Sequence, residues 1–140
     1  MSNIAQNGDD YPGAAQKHLL DAKALLSSDR PDGAAYLSGY VVECALKSLL
    51  VLEGATVPKH HQLDQLRQEV SRLAIVAGAK AARYFGHAIQ GVSTAAIANW
   101  RPEMRYRGAS MATNDAETWH AEAKKVFEET IHQMRLDGVI

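Results

Sequence analysis

The chain has 140 residues, with 15 lysines and arginines against 16 aspartates and glutamates and a formal net charge of −1. That length suits one domain able to bury its own core without a metal or disulfide. The near-neutral balance excludes a global field for coating nucleic acid, so any such binding needs a local patch. Cys44, the single cysteine, lies in an apolar run and reads as a buried, inert thiol; no disulfide or zinc framework exists, which fits a reducing, cytoplasmic setting.

Residues 1–10 are polar without an apolar signal core and read as a flexible N-terminal tail. Asp10 before Tyr11-Pro12 is a helix start, because an acid satisfies free amides and proline is tolerated in the first turn. Ala15, Leu19, Ala22 and Leu26 form the stripe of a first helix. Residues 27–33 read as a turn, with Asp32 capping a second, almost wholly apolar helix that runs to about Glu53 and stops at Gly54. No apolar run approaches the roughly 20 residues needed to cross a bilayer, so no membrane association is expected. After Pro58, Leu63, Leu66, Val70, Leu73 and Ala77 place one apolar face on a third helix ending at Gly78.

A fourth helix is expected from about Lys80 to Asn99, weakened and kinked at Gly86 and Gly91. Residues 100–113 lack periodicity and read as an ordered loop. Asn114-Asp115-Ala116-Glu117 gives a capping-box-like start to a fifth helix ending near Gly138. Strands have no clear candidate. The expected fold is all-α, a single-domain up-and-down bundle of about five helices over residues 11–138.

Three blocks in order carry a resemblance: the helix from Gly33 to Leu52 with Glu43-x-x-x-Lys47, His61-x-Leu63-x-x-Leu66, and Trp100-x-Pro102-Glu103-x-Arg105-Tyr106. Together the chain resembles the HEPN domain family, small helical proteins that are RNA-cleaving toxins or nucleotide- and RNA-associated partners. The resemblance implies a four- or five-helix bundle, a homodimer enclosing a polar cleft, and partners among RNA, nucleotides or a nucleotidyltransferase-like protein in toxin–antitoxin or defence systems.

Active ribonucleases of that family carry Arg, four to six residues, then His. Here Arg101 with four intervening residues meets Tyr106, Arg83 precedes His87 by only three, and Arg105 and Arg107 have no His in the window. Attack by a 2′-hydroxyl needs a group that titrates near neutrality, which Tyr, with a reference pKa of about 10, is not. The expected role is therefore a non-catalytic or accessory module. The alternatives are a divergent metal-independent endoribonuclease using Arg101 or Arg105 with His61 or His87, and a purely structural dimerising bundle.

The candidate binding residues are Glu43, Lys47, Arg101, Arg105, Tyr106 and Arg107. Glu43 and Lys47 form either an exposed intrahelical ion pair or a cleft group in which Glu43 holds Arg101 or Arg105 bidentately. Arg101, Arg105 and Arg107, interleaved with Trp100 and Tyr106, suit single-stranded RNA or a nucleotide. The competing reading has the aromatics anchor the loop while the arginines cap helices. His60, His61 and Asp64 lack further ligands at suitable spacing, so no metal is expected, and no phosphate loop or other cofactor signature occurs.

Overall fold

The computed structural model describes Ala5–Gln6 and residues 9–140; the rest of the expected N-terminal tail lies outside the described residues. Ala5–Gln6 (β1) and Asp9–Asp10 (β2) pair antiparallel, a two-residue ladder that the sequence did not suggest. Asp10 then caps the first helix as expected: its carboxylate accepts the Gly13 amide at 3.0 Å, and proline stands in the first turn. This helix, α1, covers Tyr11–Ser27.

Helix α2, Pro31–Leu52, is the axis of the fold, packed against α1 and against the third and fifth helices. Every residue from 41 to 50 is buried, so the helix has no solvent face there. Leu46, Leu49 and Leu50 each contribute about 1.5–3 kcal/mol by leaving water. Ser38 and Ser48 are tolerated at full burial because their hydroxyls donate to the carbonyls of Ala34 and Cys44, both at 2.8 Å. By length and composition α2 could cross a membrane, with a mean hydropathy of 1.4, contrary to the expectation that no run approaches that size. Its neighbours cover it instead: 72% of that window is buried inside the bundle. Gly54, at φ +72°, turns the chain out of the helix.

Asp32 does not cap α2. It sits inside the first turn, and its Oδ1 accepts the amides of Ser110 and Met111 at 2.9 and 3.0 Å. Helix α3, Leu63–Ala74, buries Leu63, Leu66 and Val70 as its spacing predicts, and stops short of Ala77.

The fourth helix expected over 80–99 does not form. The segment is a chain of short turns: 3₁₀ over Lys80–Tyr84, a single α-turn His87–Gln90 (α4), and 3₁₀ over Gly91–Ser93 and Ala96–Asn99. Three glutamates hold the segment in this form, each accepting backbone amides at the start of one of the short turns. Glu53 accepts from Ala81, Glu129 from Ala88 at 3.1 Å, and Glu122 from both Ala96 and Ile97 at 3.1 and 3.0 Å. Gly86 lies hard against the Glu129 carboxylate, where a Cβ would clash.

The last helix begins as α5, Thr113–Phe127, after Ala112; the expected capping box lies within its first turn and makes no side-chain cap. It continues through a π-helical stretch, Glu128–His132, into α6, Gln133–Leu136. Asp137 then ties this end to the 3₁₀ segment, taking Arg83 bidentately at 2.5 and 3.0 Å and the Tyr84 hydroxyl at 2.7 Å. The Arg83 guanidinium, and after it the Tyr84 hydroxyl, hold the Asp137 carboxyl well below the usual carboxylate range.

Two imidazoles inside this frame, His18 at Nδ1 and His120 at Nε2, share with His60 at Nε2 a buried ring nitrogen that has no hydrogen-bond partner among the described residues. Burial lowers the pKa of both. Below about pH 6.5 the unfolded chain therefore binds more protons at these positions than the folded one. Stability should be level above pH 7 and fall as the pH drops through 6.5 toward the depressed folded values. Thermal unfolding between pH 5.5 and 7.5 checks this, and His18→Phe should flatten the dependence.

Candidate nucleic-acid interface

Trp100 places the loop that carries the arginines. Its indole is fully buried, donates from Nε1 to the Tyr36 carbonyl of α2 at 2.9 Å, and meets Tyr40 edge-on at 4.9 Å. Gly39 makes this possible, since a Cβ there would stand inside the indole ring. The next residues form a 3₁₀ turn, Pro102–Tyr106, and the Arg101 guanidinium closes it by donating to the carbonyls of Ala98 and Trp100 at 2.9 and 2.7 Å.

The structure divides the candidate residues into three groups. Arg101 and Arg107, with Glu103, form one wall of a cleft of about 660 Å³ whose other wall is His60, His61 and Gln62. Arg107 is exposed; its backbone amide donates to the Met104 carbonyl at 3.1 Å, and its guanidinium makes no ion pair among the described residues.

Arg105 and Tyr106 make a second group: the guanidinium lies 4.9 Å from the Tyr106 ring centroid, within the range of a cation–π contact. The phenol oxygen of Tyr36, and after it that of Tyr106, raise the Arg105 pKa. Tyr36 in turn shares a 3.2 Å hydroxyl contact with Tyr40. Burial first, and then that contact, pushes the Tyr40 phenol far above neutrality, so it is no proton donor or acceptor at physiological pH. Tyr106 is 78% exposed, an aromatic ring presented to solvent.

Glu43 and Lys47 form the third group and overturn both sequence expectations. Their ion pair exists at 3.4 Å, yet both side chains are less than 10% exposed, so it is not a surface pair. Nor does Glu43 hold Arg101 or Arg105. Its other oxygen meets His61 Nδ1 at 2.6 Å. A buried carboxylate in so apolar a helix needs partners, and Lys47 on its own helix and His61 just before α3 supply them. An ionised carboxylate can only accept, so Nδ1 of His61 is the donor in this contact, and a neutral ring held this way has Nε2 as its acceptor. The His61 side chain is 46% exposed and lines the cleft, so Glu43 supports the cleft from behind.

Among the described residues no group of three or more His, Cys, Asp or Glu could hold a metal. Asp64 pairs with Arg67 and Gln68 at 2.9 and 2.7 Å. Cys44 is shut in beside Glu43, and burial, more than that charge, pushes its thiol up to about 12.

The HEPN domain family matches residues 11–133, so this chain belongs to the HEPN domain family, helical modules associated with RNA and nucleotides. Searches of curated proteins and of solved structures find no significant match.

Truncating Glu43 would leave the buried Lys47 ammonium unpaired and free the His61 ring. Glu43→Ala should lower stability by about 3 kcal/mol or more, whereas Glu43→Gln, which keeps the hydrogen-bond acceptor, should lose less. Denaturant unfolding of the two variants gives the comparison.

Proposed function

We propose that this HEPN chain is an accessory module that binds single-stranded RNA or a nucleotide in the cleft between the Arg101–Arg107 turn and the start of α3. One observation carries the reading: Arg101 and the unpaired Arg107 face His60 and His61 across one cleft, with the exposed ring of Tyr106 on the same turn. Guanidinium groups meet phosphates and an exposed ring stacks a base, the combination that single-stranded nucleic acid requires. The proposal extends to a cytoplasmic homodimer working beside a nucleotidyltransferase-like partner in a toxin–antitoxin or defence pair, which is what the resemblance of the three sequence blocks implies.

Fluorescence anisotropy with labelled single-stranded RNA tests the cleft. Arg107→Ala should weaken binding several-fold or more and lower the salt slope by about 0.7 for each phosphate contact removed. Tyr106→Ala should weaken binding by a stacking contribution of about 1–3 kcal/mol with the salt slope unchanged. Absence of binding, or binding indifferent to both substitutions, would remove the proposal.

A second reading, a metal-independent endoribonuclease, is favoured by the His61–Glu43 contact. Glu43 holds Nδ1 of the ring, and a neutral ring so held turns Nε2, as the acceptor, to the cleft that Arg101 also lines. His61 would take the proton of a 2′-hydroxyl as that oxygen attacks the adjacent phosphorus. Arg101 would offset the charge gathering on the non-bridging phosphate oxygens, and the departing 5′-oxygen would be protonated from solvent. Cleavage in chelator that disappears in His61→Ala would establish this reading over the non-catalytic one, and intact RNA with wild-type protein would exclude it.

A further inference from the structure

The arginine turn carries one side chain that phosphate contacts do not use. Glu103 lies between Arg101 and Arg107 on the same wall of the cleft. It is exposed, and its carboxylate makes no ion pair among the described residues. Neither neighbour takes it: the Arg101 guanidinium is turned to the carbonyls of Ala98 and Trp100, and that of Arg107 is likewise without an ion pair. A free carboxylate repels the phosphates that the arginines attract. Any affinity it contributes must come from a hydrogen-bond donor on the ligand.

The geometry of the turn says where that donor sits. Residues 102–106 form a 3₁₀ turn, in which the Met104 amide donates to the Arg101 carbonyl and the Arg107 amide to the Met104 carbonyl, both at 3.1 Å. Side chains three residues apart eclipse in a helix of this type. Glu103 and Tyr106 therefore stand one above the other on the same face. The Arg105 guanidinium lies over the Tyr106 ring, 4.9 Å from its centroid, and so covers one side of it. With Tyr106 78% exposed, the other side is open to a base. A base stacked there turns its edge to the neighbouring carboxylate.

A carboxylate can only accept hydrogen bonds. Among the four RNA bases only guanine has two donors side by side on its pairing edge, N1–H and the 2-amino group, spaced to meet the two carboxylate oxygens. Adenine and cytosine present one donor beside an acceptor, and uracil one donor between two acceptors; those acceptors would face the carboxylate with like charge.

We infer that the cleft selects guanine, with Tyr106 stacking the base, Glu103 accepting from N1–H and the 2-amino group, and Arg107 holding the adjacent phosphate. The inference rests on the nucleic-acid reading above and names the base within it.

Fluorescence anisotropy of the full chain tests this with four labelled eight-nucleotide RNAs, uridine throughout except for one central guanosine, inosine, adenosine or cytidine. Wild type should bind the guanosine RNA about fivefold or more tightly than the adenosine and cytidine RNAs, the discrimination expected of a bidentate side chain on a base edge. The inosine RNA, which keeps N1–H and lacks the 2-amino group, should fall between. Glu103→Gln should abolish the preference, weakening the guanosine RNA and, with one negative charge fewer in the cleft, tightening the adenosine and cytidine RNAs. Its circular dichroism spectrum should match wild type, because the side chain is exposed. Equal affinity for the four RNAs, or a guanosine preference that survives Glu103→Gln, would overturn the inference alone, provided Arg107→Ala still weakens binding. No binding of any of the four would overturn both the inference and the reading on which it rests.

Discussion

Much of this molecule hangs on the contact between Trp100 and the bare backbone of Gly39. The central helix is buried almost all round, so it can accept a loop only where it lacks a side chain, and Gly39 provides that place. The indole fills it, bonds the Tyr36 carbonyl and lies against Tyr40. Residues 101–107 then emerge over one end of α2, facing the start of α3. An arginine-rich turn on a freely moving loop would give no fixed array for phosphates; anchored by a buried indole one residue before Arg101, it is held in place.

The long helices were legible because their apolar spacing and end signals agree: Asp10 with Pro12 at one start, Gly54 at the end of α2, Leu63, Leu66 and Val70 along one face. Residues 80–99 were misread for the same reason. Tyr84, Ala88, Val92 and Ala95 have helical spacing, and nothing local records that acids from 25 to 41 residues away take the turn amides. Asp32 teaches the same lesson, since an acid beside a helix start looks like a cap until a distant strand of backbone competes for it. Whenever a carboxylate has a choice of amides, tertiary structure makes the choice.

The site was half legible. Arg101, Arg107 and Tyr106 stood out as a basic, aromatic cluster and do share a turn. The partner of Glu43 did not, because helix spacing names Lys47 while the contact with His61 depends on how the connection after Gly54 folds back. The family block that begins at His61 was the available signal. Its histidine marks the place where α3 meets the buried carboxylate.

The glutamate clips on the 3₁₀ segment have a further consequence for motion. Helix amides are protected from exchange by a cooperative ladder, whereas the amides of Ala88, Ala96 and Ile97 are each held by a side-chain carboxylate. Exchange at Ala88, Ala96 and Ile97 therefore reads contacts to Glu129 and Glu122 one by one, over turns whose Ile89, Val92 and Ile97 side chains are buried in the core.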